Sequence, residues 1–179
     1  MTAEERARRV TLVLMDVDGT LTDGTILVMP DGEELKSYHV RDGLGILLAR
    51  MAGLEFGIIT GKTSKALEKR AARLRITELH QGAVDKPKVL AGILERWRLE
   101  PEAVAYIGDD FGDLAVMKAV GLAAAVADAP EEVRAHCQFV CRRPGGKGAV
   151  RELIEFILKA QGKWDGVLAR VHEVKGAGL

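Results

Sequence analysis

Short runs of β-branched and aliphatic residues alternate along this chain with longer amphipathic stretches, the pattern of a parallel sheet covered by helices on both faces. Six runs are too short for typical helices and predict strands at 10–15, 54–60, 77–80, 103–108, 121–126 and 138–141. Between them, apolar residues recur at spacings of three and four and predict helices at 44–51, 64–74, 86–97, 112–119, 130–136 and 148–161. The last is the clearest, with Val150, Leu153, Ile154, Ile157 and Leu158 on one face. The expected fold is therefore α/β, a Rossmann-like parallel sheet with helices on both sides.

One segment breaks the alternation. Residues 25–29, the turn Pro30-Asp31-Gly32 and residues 33–38 read as a β-hairpin inserted directly after the first strand. It is too small to be a cap domain. An isolated hairpin is marginal in water, so Ile26, Leu27, Val28 and Met29 need either the body of the protein or another subunit to pack on, and a second subunit is the favoured choice. Beyond Gln161 the chain reads as a loosely held tail ending Val174-Lys175-Gly176-Ala177-Gly178-Leu179.

Composition narrows the functional classes. A chain of 179 residues and 19.4 kDa with 47% hydrophobic positions is expected to form one domain spanning 1–179, with the hairpin at about 25–38 and the tail at about 162–179. Its 26 basic and 26 acidic side chains cancel, so the basic excess of nucleic-acid binders is missing and a small-molecule partner is expected. No apolar run approaches the roughly 20 residues of a membrane span, and the first apolar stretch is too short for a signal peptide. Two cysteines, Cys137 and Cys141, form no disulfide framework, and a cytoplasmic location is expected. Together with His136 they lack the paired Cys-x-x-Cys spacing of a structural zinc site.

The chemistry concentrates at strand ends. Asp16-Val17-Asp18-Gly19-Thr20 follows the first strand, where open α/β sheets place their ligand sites. Asp16 and Asp18, two apart on an extended chain, share a side and repel unless a cation or proton lies between them, which suits a hard oxygen-seeking ion such as magnesium. An Asp-rich turn with Gly19 at positive φ is the plainer alternative. A second acidic cluster, Asp109, Asp110 and Asp113, follows residues 103–108; one of the three is expected to cap the next helix. Thr60-Gly61-Lys62 closes the second strand, and Lys86 opens a helix.

Taken along the chain, as the pair Asp16 and Asp18, then Thr60, then Lys86, then the cluster beginning at Asp109, these four elements resemble the haloacid dehalogenase superfamily of phosphatases. Asp23-Gly24, Gly32-Glu33-Glu34-Leu35-Lys36, Val40-Arg41-Asp42-Gly43, Ile58-Ile59-Thr60-Gly61, Gln81-Gly82, the run from Ala105 to Asp110, Val126-Ala127-Asp128-Ala129 and the run from Gly145 to Glu152 are similar to its 3-deoxy-D-manno-octulosonate 8-phosphate phosphatase family. The likeness covers roughly residues 10 to 165. It implies a capless, magnesium-dependent phosphomonoesterase of lipopolysaccharide biosynthesis, assembled as a homotetramer through the hairpin. By the same resemblance Asp16 is the nucleophile, Asp18 the acid and base, and Thr60, the Gly61 amide and Lys86 the groups that hold the phosphoryl oxygens. Magnesium falls to Asp16, the Asp18 carbonyl and Asp109, with Asp110 and Asp113 behind them.

Substrate contacts implied by the family are Asp18, His39, Val40, Arg41, Asp42, Gly43, Gly61, Lys62, Arg70 and Lys86. Asp42 as the cap of a helix beginning near Leu44, and Arg41 and Arg70 as solvated side chains, are equally consistent with the sequence. Family members often carry Arg where this chain has Lys62, which removes a bidentate fork from the site. The stretch Gly145-Gly146-Lys147-Gly148 either links a strand to a helix or shapes a neighbouring subunit's pocket. The alternative substrate is a nine-carbon sialic-type sugar acid 9-phosphate; a phosphoacceptor receiver domain and an inert scaffold are the remaining readings.

Overall fold

The structure, a computed structural model, describes residues 1–173. The chain runs α1 (Ala3–Ala7), β1 (Leu12–Met15), β2 (Leu27–Val28), β3 (Glu34–Leu35), α2 (Val40–Met51), β4 (Glu55–Ile59), α3 (Lys65–Arg73) and β5 (Glu78–His80). It continues through α4 (Lys86–Trp97), β6 (Val104–Gly108), α5 (Leu114–Met117), β7 (Leu122–Ala125), α6 (Glu131–Arg134), β8 (Phe139–Val140), α7 (Ala149–Ala160) and α8 (Trp164–Ala169). Six strands pair in parallel in the order β5-β4-β1-β6-β7-β8. All four residues of β1 are buried, as expected of a central strand covered on both faces.

This topology places the site. From β1 the chain steps outward to β4 and β5, then returns to β6 on the other side of β1, so β1 and β6 flank the switch point at which α/β sheets bind ligands. Met15 is level with Ile58 and Ile107, which brings the residues after β1, β4 and β6 to one edge.

All six expected strands are present, trimmed by one to two residues at most ends, and the 86–97 helix has its predicted limits. Three expectations need correction. The second helix begins at Val40 instead of Leu44, because the His39 side chain rather than Asp42 accepts the Arg41 amide as its cap. The 112–119 helix is replaced by a 3₁₀ turn, Phe111–Asp113, followed by the four residues of α5. The tail after Gln161 is not loose at its start: α8 buries Val167, and the Trp164 ring lies under Arg151 and Lys159 at 5.4 and 5.5 Å. The expectation for Val174 to Leu179 lies outside the described residues.

Helix α1 had no periodic signature at five residues. It is fixed instead by a capping box between Thr2 and Glu5, by Arg6 donating to the Gly121 carbonyl at 2.6 Å, and by Gln161 donating to the carbonyls of Ala7 and Val10. Gly145 and Gly146 fold against their own chain: a Cβ on Gly145 would lie 1.7 Å from the Gly19 carbonyl oxygen, and the Gly146 amide donates to that of Thr20. The hairpin forms with Leu27 opposite Leu35, but its strands are only two residues long and Ile26, Leu27, Val28, Met29 and Leu35 remain exposed. No helix among the described residues is long and apolar enough to cross a membrane.

Candidate active site

Asp16 stands one residue past β1, held by its amide on the Ile107 carbonyl, and is 8% exposed. A carboxylate buried that far needs a partner. Lys86, the first residue of α4, supplies it: Nζ lies 2.8 Å from Asp16 Oδ1 and 2.7 Å from Asp113 Oδ1. The Tyr106 hydroxyl, from inside β6, donates to the same Asp113 oxygen at 2.6 Å. Burial and the neighbouring Asp113 push the Asp16 carboxyl up, while Lys86 pulls it down. Burial acts to lower the Lys86 ammonium, but the charges of Asp113 and Asp16 outweigh it and raise its pKa. Burial, then Asp113, hold Tyr106 well above the ordinary phenol range, so it serves as a neutral donor.

Asp109 follows β6 and faces Asp16 across the switch point. Burial, reinforced by Asp16 and Asp113, lifts its pKa to about 7. Oxygens of Asp16, Asp109 and Asp113 lie within 4.8 Å of one another, a hard-oxygen set of the kind magnesium prefers. The three differ in how many donors they already serve. Asp113 Oδ1 accepts Lys86 and Tyr106 and its Oδ2 accepts the amides of Asp109 and Asp110, so both oxygens are engaged in holding the loop. Asp16 keeps one oxygen clear of Lys86, and among the described residues Asp109 accepts only the Thr20 hydroxyl, at 3.2 Å. Asp16 and Asp109 therefore fit the metal, and Asp113 fits the support placed behind them. Asp110 is the capping residue of the cluster, its Oδ1 on the Phe111 amide at 2.7 Å.

Gly19 is required on two counts. Its φ of 91° is a left-handed conformation, and a Cβ there would lie 2.0 Å from Asp109 Oδ2. Close approach of the two strand-end loops thus depends on a missing side chain.

The carboxylate of Asp18 does not join this cluster. It turns to Lys36, the residue after β3, so the repulsion expected between Asp16 and Asp18 is relieved by two separate lysines, not by one shared cation. Thr60 is buried at the end of β4, its amide on the His80 carbonyl, and Gly61 follows in the open. Lys62 reaches Glu34 at 3.3 Å. Arg70 is half-buried with its guanidinium 5.7 Å from the Tyr38 ring centre, and burial lowers its pKa; a freely solvated side chain is excluded. Asp42 is buried with Oδ1 on the Arg151 amide at 2.8 Å, tying α2 to α7, and burial raises its pKa. Gly43 is buried beside Arg70, while Val40 and Arg41 are exposed. Arg41 opens on a cleft of about 760 Å³ that it shares with Arg142, Arg143 and Arg151; neither Asp16 nor Asp109 lines that cleft.

Three contributors escaped the sequence reading as individual residues. Tyr106 sat inside an apolar strand, where the one available signal is that a buried hydroxyl wants a partner. Thr20 and Lys36 belonged to motifs, but what they touch depends on how the hairpin folds back.

Carboxylates at the ends of β1 and β6, a lysine between them and a threonine at the end of β4 define a haloacid dehalogenase-like hydrolase, and the family model of that description matches residues 71–153. The chain is 46% identical over 160 residues to the 3-deoxy-D-manno-octulosonate 8-phosphate phosphatase KdsC of Escherichia coli K12, covering 89% of this chain and 85% of the relative. The crystal structure of the corresponding phosphatase from Yersinia pestis superposes with a TM-score of 0.90 at 45% identity, over 92% of this chain and 89% of that one. That of the Moraxella catarrhalis phosphatase, in complex with a magnesium ion, a phosphate ion and KDO, gives 0.91 at 38% identity, over 93% and 96%. This chain belongs to the 3-deoxy-D-manno-octulosonate 8-phosphate phosphatase family.

Proposed function

We propose that the protein hydrolyses 3-deoxy-D-manno-octulosonate 8-phosphate to the free sugar acid and phosphate, with magnesium as cofactor. The observation that carries this reading is the pairing of Asp16 with Lys86 and Asp109 at the switch point, in a chain with this family membership. Phosphoryl transfer asks for in-line attack and stabilisation of charge on the equatorial oxygens. Asp16 attacks phosphorus and carries the phosphoryl group as an aspartyl-phosphate. Asp18 protonates the departing sugar oxygen, then takes a proton from the water that cleaves the acyl phosphate. Lys86, Thr60 and the Gly61 amide hold the phosphoryl oxygens, Lys86 as a point charge. Asp16, Asp109 and the Asp18 carbonyl would hold magnesium, which when bound offsets the repulsion between phosphate and carboxylate.

His39, Val40, Arg41, Asp42 and Gly43, with Lys62 and Arg70, form the substrate side of this proposal. Burial of Asp42 and Gly43 favours a supporting role, leaving the cations to meet a sugar carboxylate. Assembly as a homotetramer through the hairpin is supported by five large apolar side chains exposed on so small an element. A cytoplasmic place in lipopolysaccharide biosynthesis completes the reading. The test is phosphate release with magnesium from a panel holding the eight-carbon and nine-carbon sugar acid phosphates and simple hexose phosphates. Preference for the eight-carbon acid is expected; preference for the nine-carbon acid, or equal turnover of hexose phosphates, refutes the substrate assignment.

A further inference from the structure

The hairpin is barely anchored by its own packing, since every residue from Asp23 to Leu35 is exposed. Directly after its return strand, however, Lys36 turns inward. The side chain is only 6% exposed, and its ammonium donates to Asp18 Oδ1. Burying an ammonium is strongly unfavourable without a partner, so this pair fixes both members. Among the described residues, Lys36 is the side chain hydrogen-bonded to Asp18. Two residues on, Tyr38 lies against the Arg70 guanidinium, and two residues before, the exposed Glu34 meets Lys62 at 3.3 Å, so the segment touches groups of the site on either side of the contact.

We propose that Lys36 is a positioning residue that aims the Asp18 carboxylate for hydrolysis of phosphorylated Asp16. The inference rests on the function proposed above. In that step the water oxygen bonds to phosphorus and the bond from phosphorus to the Asp16 oxygen breaks, returning its electron pair to the Asp16 carboxylate. The water proton passes to Asp18 and orthophosphate departs. An ammonium can only donate, so the contact holds one Asp18 oxygen as an acceptor and leaves the other to meet the water. Lys36 itself touches neither phosphorus nor water. The first step makes a different demand: p-nitrophenolate departs without needing a proton, so phosphorylation of Asp16 by p-nitrophenyl phosphate asks little of Asp18.

That asymmetry separates positioning from general structural support. Wild type, Lys36→Met and Lys36→Arg are compared on p-nitrophenyl phosphate and on the sugar acid phosphate, with magnesium, by stopped flow and steady-state assay. For Lys36→Met on p-nitrophenyl phosphate, kcat is expected to fall about 30-fold, part of the full general-base contribution, with kcat/KM held within about 3-fold. A burst approaching one p-nitrophenolate per subunit accompanies it, and Lys36→Arg recovers most of kcat. Equal losses in kcat and kcat/KM without a burst, or an unchanged kcat, overturn the proposal. Circular dichroism and light scattering accompany each variant; should Lys36→Met fail to fold, Lys36→Gln is read by the same burst and the same split. Failure of the wild type to hydrolyse the sugar acid phosphate would instead sink the functional reading, independently of any variant.

Discussion

Replacing Lys86 by Met removes the ammonium that lies between Asp16 and Asp113 while keeping all but the last atom of the side chain's length. Two charge-assisted contacts disappear, at 2.8 and 2.7 Å, from carboxylates whose side chains are 11% and 2% exposed. Removing one partner of a buried ion pair typically costs about 3–5 kcal/mol, because the charge left behind has neither water nor counter-ion. Here the residual charges can take up protons, since burial already biases Asp16 and Asp109 toward the neutral form. A folded-state carboxyl pKa raised above its unfolded value stabilises the fold below the unfolded pKa and loses that contribution as pH rises. The penalty in Lys86→Met is therefore smallest near pH 5 and largest near pH 8, where about 3 kcal/mol is expected, equivalent to a fall of about 6–12 °C in melting temperature for a chain of this size. Magnesium supplies the missing positive charge and restores much of the loss. The assay is thermal unfolding at fixed protein concentration, at pH 5.5 and 8, with chelator and then with excess magnesium. Turnover is expected to fall about 10²–10³-fold, the usual effect of deleting one preorganised electrostatic contact. A loss of stability that is greater at pH 5.5 than at pH 8, or turnover within a few-fold of wild type, would refute this account of the cluster.

Asp16→Asn conserves shape but removes the proposed nucleophile, so no turnover above background is expected while the oligomeric state by light scattering stays that of the wild type; near-normal activity would reassign the nucleophile. Magnesium affinity should rise with pH through about 7, because the Asp109 proton competes with the metal below that value, at up to about tenfold per pH unit for a single proton; titration calorimetry at pH 6 and 8 that shows equal affinity and no proton release would refute this competition. Chelation should stop hydrolysis and magnesium should restore it, and undiminished turnover in excess chelator would remove the metal from the mechanism. Deleting residues 26–38 should give monomers by light scattering and, through loss of Lys36, slow turnover as well; a tetrameric deletion variant would exclude the hairpin as the assembly surface.

Much of this site was legible because a parallel sheet converts sequence order into spatial convergence. Asp16, Thr60 and Asp109 each follow an apolar run, and recognising those runs as parallel strands suffices to bring them to one edge. Lys86 was equally legible, as the first residue of a well-delimited helix after a strand. What stayed hidden depends on side chains crossing between elements that no local period relates. Lys36 looked like an ordinary polar residue of a hairpin strand, and its burial becomes visible only once the hairpin folds back over the end of β1. The alternative of Asp42 as the helix cap fails for a local reason: His39 and Asp42 both carry an acceptor near the start of the same apolar pattern, and the choice turns on Asp42 being claimed by the Arg151 amide of α7.

The acidic cluster shows the same division most sharply. Asp109, Asp110 and Asp113 are chemically alike and sit within five residues, so spacing alone cannot rank them. Hydrogen bonding does. Asp110 is committed to the Phe111 amide and Asp113 to Lys86, Tyr106 and two backbone amides, whereas Asp109 is half-buried, facing Asp16, with a single hydroxyl donor among the described residues and a pKa of about 7. A carboxylate so poorly compensated is costly in isolation and is relieved by whatever brings positive charge to it. The residue least satisfied by the protein is thus the one best prepared for a metal, and the glycine at position 19 is what lets its loop approach the end of β1 closely enough for one ion to be shared with Asp16.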